Sequence, residues 1–263
     1  FKNYHIFGFT GTPIFADNAD VNSHAHVWTT EQAFGERLHT YTIVDAINDG
    51  NVLPFRVDYI NTIKHKEGIP DEKVPAIDTE KALMAPERIS KVVDYLLDHF
   101  DQKTMRANTY LRGGKALNGF NAIFAVQSIP MAKLYYKEIQ KQLEEKQKDL
   151  KIATIFSFSP NEEDPQTGLI DESFNTDNLD KSSRDFLEDA IGDYNQMFGT
   201  NFDTSSDKFE NYYKDLSRRV KNREVDLLIV VNMFLTGFDA VTLNTLWVDK
   251  NLRLHGLLQA YSR

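Results

Sequence analysis

The feature that most constrains the fold of this chain is the apolar run Leu-Leu-Ile-Val-Val at residues 227–231, which leads into Thr-Gly-Phe-Asp at 236–239. A short apolar run rich in β-branched residues and bounded by polar ones predicts a fully buried strand. Comparable runs occur at residues 121–126, 151–158 and 243–248. Helical patterns separate most of these runs, and such alternation predicts a parallel sheet flanked by helices, an α/β fold.

Helices are predicted where apolar residues recur on one helical face. The predicted helices span residues 34–48, begin at Pro86, begin after Ser128, cover residues 209–220, and begin near Leu254. Proline suits the first turn of a helix, and a serine hydroxyl caps its free N–H groups. The remaining N-terminal stretches are predicted to form the end of a buried strand at 4–9, a polar loop at 14–35, a strand at 52–63 and an exposed insertion at 64–85.

The net charge of −9 comes from one acidic stretch, residues 161–195, which holds eleven acidic and two basic residues. The rest of the chain is neutral, so the net charge does not exclude nucleic acid as a partner. A solvated loop and helix surface explains this stretch, and a docking surface for a basic partner is the alternative. The chain has no cysteine, which excludes disulfides and thiolate sites. With no apolar run near the roughly 20 residues that span a bilayer, and no secretory signal, we expect a cytoplasmic protein without a membrane partner.

Polar residues follow the predicted strand ends. In parallel sheets ligands bind beyond the carboxyl ends of the strands, and small hydroxyls and helix N-termini suit phosphate oxygens. Glycine additionally permits close approach of the backbone. The candidate phosphate contacts are Gln127, Ser128, Ser157, Thr236 and Gly237. For the serines, simple helix capping is an alternative that is compatible with this role.

The chain lacks the parts of a complete phosphoryl-transfer site. It has no Gly-x-x-x-x-Gly-Lys-Ser/Thr phosphate loop, and Arg-Gly-Gly-Lys at 112–115 has the wrong spacing. No strand ends in an Asp-Glu pair, because the pair in residues 169–172 follows only two apolar residues. His24 and His26 lack further ligands, so no metal site is predicted. We therefore expect the chain alone to hydrolyse no ATP.

Four segments of this chain, in order, resemble motifs III, IV, V and VI of superfamily 2 helicase-like translocases: residues 7–13, 121–128, 226–239 and 259–263. Two longer blocks, residues 34–54 and 231–239, make the resemblance more specific. Both are similar to the restriction (R) subunit of type I restriction-modification enzymes. The resemblance covers nearly the whole chain.

This resemblance implies a RecA-like fold with extra N-terminal segments. Residues 1–13 would be the last strand of the first motor lobe, 14–85 a bridging segment, and 86–263 the second motor lobe. The implied function of the parent enzyme is ATP-dependent translocation of double-stranded DNA, leading to cleavage remote from the recognition site. The alternatives are another superfamily 2 DNA translocase or helicase lobe, and a motor-like lobe that acts only as a binding scaffold.

The resemblance also implies roles for individual residues. Thr10, Gly11, Thr12 and Pro13 match the motif that couples ATP state to lobe movement. Asp239 resembles the carboxylate that faces the nucleotide ribose, although it could instead cap a following helix. Gln259 and Arg263 match the first positions of a Gln-x-x-x-Arg-x-x-Arg pattern, in which an arginine would stabilise charge on the transferring phosphoryl group. Gln127, Ser128, Ser157, Thr236 and Gly237 would contact DNA.

The implied cofactors are ATP and Mg²⁺, bound mainly by the first motor lobe and not tightly by this chain. The implied partners are duplex DNA, the methylation and specificity subunits, and the first motor lobe and nuclease domain of the same chain. A basic cluster, Arg218, Arg219, Lys221 and Arg223, would either line a DNA path or form a solvated helix end.

Overall fold

A computed structural model describes residues 7–9, 13, 15, 29–62, 79–156, 180–235 and 238–252 of the chain. The chain forms two compact units, the first built mainly from residues 1–59 and the second mainly from residues 60–251. The first unit holds helices α1 (Thr30–Phe34) and α2 (Ile43–Asn48). The second holds α3 (Thr79–Leu83), α4 (Pro86–Lys103), β1 (Thr109–Arg112), β2 (Lys115–Asn118), β3 (Asn121–Val126), α5 (Ile129–Glu145), β4 (Ile152–Ile155), α6 (Lys181–Phe198), α7 (Ser206–Lys221), β5 (Leu227–Val230) and β6 (Leu243–Asp249).

The second unit is built on a four-stranded parallel sheet with the order β4-β5-β3-β6. Phe124 at the centre of β3 pairs with Ile229 of β5 on one side and with Trp247 of β6 on the other. Every residue of β3, β4 and β5 is buried, as their continuous apolar sequences predict. The predicted RecA-like α/β sheet is therefore confirmed.

Helices α4 and α5 confirm two local sequence signals. Pro86 occupies the first turn of α4, and the apolar face of this helix, Ile89, Val93, Leu96, Leu97 and Phe100, is buried. Ser128 is the N-cap of α5 and accepts a hydrogen bond from the Met131 N–H at 3.4 Å. Tyr135 of α5 packs edge-on against Phe124 of β3, with ring centroids 4.7 Å apart. Each such buried aliphatic or aromatic side chain contributes about 2 kcal/mol.

The C-terminal half of the acidic stretch is a helix that periodicity did not single out. Asp180 caps α6 by accepting a hydrogen bond from the Ser183 N–H. The buried face of α6 includes Phe186, Leu187 and Ile191, while most of its acidic residues stay exposed. This exposure is compatible with a solvated helix surface and with a docking surface for a basic partner, so both interpretations stay open.

A two-stranded antiparallel hairpin, β1–β2, lies between α4 and β3 and was not predicted. Its turn is Gly113-Gly114, with φ angles of 55° and 79°, between the paired residues Arg112 and Lys115. Two-residue hairpin loops favour positive φ at both positions, which glycine adopts without strain. The Arg-Gly-Gly-Lys sequence is thus a hairpin turn rather than a phosphate loop.

The first unit departs from its predicted structure in two respects. The helix predicted over residues 34–48 is wrong, because Gly35, with φ 90°, ends α1 and the Thr42 capping box begins α2. No strand forms over residues 7–9 or 52–62 either. A strand needs a hydrogen-bonding neighbour, and none of the described residues pairs with these stretches.

Across the described parts of the chain, we find no helix that is both long and apolar enough to cross a membrane.

Candidate functional site at the carboxyl edge of the sheet

The four parallel strands end at one edge of the sheet, here called the carboxyl edge. The segments that leave this edge begin at Gln127 after β3, Phe156 after β4, Val231 after β5 and Lys250 after β6. The opposite edge, where the strands begin, is called the amino edge. Strand order decides which of the carboxyl-edge segments lie side by side, and β3 and β5 occupy the centre.

Gln127 and Ser128 connect β3 to α5. The Gln127 side chain is exposed, and its Oε1 accepts a hydrogen bond from the Asn251 N–H at 3.1 Å. Ser128 is half-buried and caps α5, which confirms the capping alternative. The positive end of the α5 dipole lies at the same place, so an anion near Ser128 would be stabilised. Capping and a phosphate contact are compatible here.

The segment after β5 starts inside the core. Residues 231–235 are buried, and Phe234 adopts a positive φ of 65°. Phe238 is also buried and packs edge-on against Phe234, with ring centroids 4.6 Å apart. Asp239 is exposed and is followed by a turn in which the Leu243 N–H bonds the Ala240 carbonyl at 2.9 Å. The alternative that Asp239 caps a helix is therefore wrong, since β6 follows directly.

The end of β6 carries a buried ionic network that sequence reasoning missed. Arg88 donates to both carboxylate oxygens of Asp249, at 2.9 and 2.5 Å, and to the Tyr135 hydroxyl at 3.2 Å. It also donates to the Leu83 carbonyl and to Thr62 Oγ1. The Tyr135 hydroxyl donates to Asp249, and burial together with this carboxylate raises the pKa of Tyr135. The network ties the N-terminal part of α4 and the middle of α5 to the end of β6.

Lys250 and Asn232 form a second missed contact at this edge. The Lys250 Nζ donates to the Val231 carbonyl at 2.7 Å and to Asn232 Oδ1. The available signal was position alone: residues 249–251 directly follow the last predicted strand.

The basic cluster at the end of α7 is engaged within the protein. Arg219 bonds Asp215 at 2.7 Å and Glu224 at 2.6 Å, and Arg223 bonds Asp226 at 2.5 Å. Arg218 contacts the same Asp215 carboxylate, and the Lys221 ammonium lies over the Phe238 ring. The cluster sits toward the amino edge, so its interpretation as a DNA path is not favoured.

Many predicted site residues lie outside the described residues, and their roles stay predictions: Thr10, Gly11, Thr12, Ser157, Thr236, Gly237, Gln259 and Arg263. The same holds for the predicted helix near Leu254, for His24 and His26, and for residues 169–172. Pro13 is described, as are residues 7–9, but residues 10–12 between them are not. In the described ranges no group of three or more His, Cys, Asp or Glu is placed to hold a metal ion. For ATP, the exposed Asp239 carboxylate is the described group that fits, because it can accept a hydrogen bond from a ribose hydroxyl.

The comparison with protein families agrees with this architecture. Residues 118–263, which include the whole parallel sheet, match the family of type I restriction enzyme subunit R domain 3. Residues 1–88 match the SWI2/SNF2 ATPase family. The chain thus belongs to the type I restriction enzyme R subunit family, with a helicase-type RecA-like fold.

Individual relatives carry the same family name. The chain is 43% identical over its full length to the type I restriction enzyme SauCOLORF180P endonuclease subunit of Staphylococcus aureus, strain COL, covering 26% of that protein. It is 26% identical, over 99% of its length and 21% of the relative, to the HindI endonuclease subunit of Haemophilus influenzae. A putative MjaVIIP endonuclease subunit of Methanocaldococcus jannaschii is also 26% identical, with 24% of that protein covered. The chain spans about a quarter of the length of the curated relatives it matches.

Proposed function

We propose that this chain is part of the motor of a type I restriction endonuclease, which uses ATP to translocate double-stranded DNA and leads to cleavage remote from the recognition site. Within that motor, the carboxyl edge of the sheet contacts the DNA backbone and Asp239 faces the nucleotide. Family membership supports the class of enzyme. The observation that carries the proposal is the meeting of Gln127, Ser128 and the α5 N-terminus at the carboxyl edge, where a parallel sheet binds ligands.

The chemistry of this edge suits a moving contact with DNA. A translocase must pass over any sequence, so contacts to base edges would hold it at preferred sites. Serine hydroxyls, glutamine amides and helix N–H groups bond phosphate oxygens, which carry no direct sequence information. Because Arg88 neutralises Asp249, the buried carboxylate at this edge does not repel a phosphate.

The nucleotide is proposed to lie between this chain and the first motor lobe. ATP and Mg²⁺ would be held mainly by that lobe, since this chain has no phosphate loop. When bound, ATP with Mg²⁺ supplies the transferable phosphoryl group and most of its charge neutralisation. Asp239 would orient the ribose, and Gln259 and Arg263 would act at the phosphates. The methylation and specificity subunits are the proposed protein partners, and the isolated chain is proposed to be inactive as an ATPase.

The DNA contact is tested in the full-length R subunit assembled with the methylation and specificity subunits. Gln127→Ala removes an exposed amide at the carboxyl edge. Gln140→Ala is the matched control, because Gln140 is a glutamine on α5 whose amide bonds Asp193 at 2.8 Å, within the helix layer. Loss of one hydrogen bond to a phosphate should weaken DNA binding about 10-fold. Equal affinities of the two variants, or a preferred DNA sequence, would contradict the proposal.

The nucleotide contact has its own test. Asp239→Ala in the same assembly should lower ATP affinity by about 2 kcal/mol, the value of one hydrogen bond to a charged group. The affinity for duplex DNA should stay unchanged, because the side chain is assigned to the ribose. A selective loss of DNA affinity would show that the assignment is reversed. Normal ATP use in both Asp239→Ala and Gln127→Ala would instead favour the scaffold alternative.

A further inference from the structure

Three consecutive residues at the end of β6 contact three different parts of the second unit. The Asp249 carboxylate is bound by Arg88 and Tyr135. The Lys250 ammonium bonds the start of the segment after β5. The Asn251 N–H bonds Gln127, which follows β3. The end of β6 therefore joins the helices, the segment after β5 and the segment after β3.

The position of Lys250 matters because β6 and β5 are not neighbours. The sheet order is β5-β3-β6, so the Lys250 side chain reaches across the end of β3 to bond Val231 and Asn232. Neighbouring strands lie about 4.8 Å apart, so this contact spans roughly 10 Å of sheet. A long unbranched side chain is required for that reach, and bonds from an ammonium are shorter and stronger than neutral ones.

The base of the Lys250 side chain is fixed by its neighbour. Asp249 has a side chain only 15% exposed and bonds Arg88, which is 8% exposed. This buried pair holds the end of β6 against α4 and α5. The Lys250 contact therefore joins the segment after β5 to the fixed end of β6. That segment continues in the sequence to Asp239, while Gln259 follows Lys250 by nine residues.

We propose that Lys250 is a positioning residue that holds the segment after β5 in place relative to the end of β6 and to Gln127. It acts through Val231 and Asn232 and does not touch DNA or nucleotide itself. The inference rests on the proposed function, since it assigns to Lys250 the coupling of ATP hydrolysis to DNA movement. Without the contact, ATP hydrolysis and DNA translocation both continue, but more ATP is hydrolysed for each base pair translocated.

The test uses the full-length R subunit assembled with its partner subunits. Lys250→Met keeps the length of the side chain and removes the ammonium. The number of ATP molecules hydrolysed per base pair translocated should rise at least about threefold, because both hydrogen bonds of the ammonium are lost. The KM for ATP and the Kd for duplex DNA should change less than about twofold. Lys250→Arg should restore part of the coupling.

Two controls separate positioning from general destabilisation. Lys148 also donates to a backbone carbonyl, that of Leu97 at 2.6 Å, but lies beyond the end of α5, so Lys148→Met should leave coupling unchanged. Asn232→Ala should have a smaller effect in the same direction, and the double variant should be no worse than Lys250→Met, because Lys250→Met already removes the bond to Asn232.

The outcomes are decisive for Lys250. Normal coupling in Lys250→Met, additive effects with Asn232→Ala, or a parallel fall of hydrolysis and translocation together with a lower Tm would each overturn the inference. Failure of the proposed function looks different: the unchanged complex would then hydrolyse no ATP in the presence of DNA or would not translocate it.

Discussion

The two edges of the parallel sheet use polar residues in opposite ways. At the amino edge, Asp226 accepts hydrogen bonds from Arg106 at 2.9 Å, from Arg223 at 2.5 Å and from the Lys151 N–H at 2.8 Å. Asn121, also at this edge, donates to the Val220 carbonyl at 2.7 Å. The Asp226 carboxylate and the Asn121 amide N–H groups are thus bonded within the fold, whereas the buried Asn121 Oδ1 has no partner among the described residues.

At the carboxyl edge, the two polar residues that directly follow β3 are accessible to solvent. Gln127 is exposed, and Ser128 is half-buried with one capping bond. Buried polar groups must be paired inside the protein, whereas exposed ones can exchange water for a ligand. The difference teaches that the amino edge stabilises the fold and the carboxyl edge is available for binding. Substitutions at the two edges should separate these roles.

The largest expected effect is on the stability of the chain after Asp226→Ala. This change leaves the Arg106 and Arg223 guanidiniums without their shared carboxylate, whose side chain is only 9% exposed. Removing one partner of a buried ion pair costs about 3–5 kcal/mol. Asp239→Ala is the control, because this carboxylate is exposed, and it should change stability by less than about 0.5 kcal/mol. Urea denaturation measures the free energy of unfolding of both variants. Equal losses of stability would contradict the contrast between the two carboxylates.

Asp249 is a carboxyl-edge group that is satisfied internally, so its network should behave like the amino edge. Tyr135→Phe removes the hydroxyl that donates to the Asp249 carboxylate. Hydrogen bonds to charged groups contribute about 2 kcal/mol, and that loss is expected. Tyr212→Phe is a matched control, because its buried hydroxyl bonds the neutral Thr154 carbonyl at 2.8 Å and should cost only about 1 kcal/mol. A reversed order of the two losses would contradict this account.

High pH should destabilise the helix layer and the Asp249 network together. Burial is the main cause that raises the pKa of each of four phenols, Tyr135, Tyr136, Tyr194 and Tyr212. Their neutral forms favour the folded state, while tyrosines of the unfolded chain ionise near pH 10. The stabilisation is therefore complete below about pH 10 and is lost as the pH rises above it, by up to about 1.4 kcal/mol per pH unit for each phenol.

Absorbance of tyrosinate against pH checks this expectation, with circular dichroism recorded alongside. The buried phenols should ionise only as the helical signal disappears. Ionisation of all eleven tyrosines of the chain at constant helical signal would show that these four hydroxyls are not held in the core.

The smallest effect is expected for Ser128→Ala, because Ser128 is assigned both to capping α5 and to contacting DNA. Loss of the cap on α5 should cost about 1 kcal/mol of stability. Thr42→Ala is the control, because Thr42 caps α2 in the same way and should cost about 1 kcal/mol in the other unit. In the assembled parent enzyme, Ser128→Ala alone should also weaken binding to duplex DNA. Equal DNA binding by both variants would confine Ser128 to capping.

Much of the second unit could be predicted from the sequence because its signals are local. Apolar runs mark β3, β4, β5 and β6 within one or a few residues of their observed ends. Pro86 and Ser128 mark the starts of α4 and α5 for reasons that concern only neighbouring backbone groups. The ends of the apolar runs likewise predicted that Gln127, Ser128 and Asp239 follow strands in the chain. They did not indicate which residues lie near them in space.

Only the tertiary structure decided what those residues meet. Strand order is nonlocal, so the sequence could not indicate that β3 lies between β5 and β6, or that Lys250 reaches across β3 to Asn232. The strand predicted at 52–63 failed for the related reason that residues 52–62 have no pairing neighbour among the described residues. Local patterns determine which elements form, whereas contacts between distant segments determine which polar groups are satisfied inside the fold and which stay available to bind.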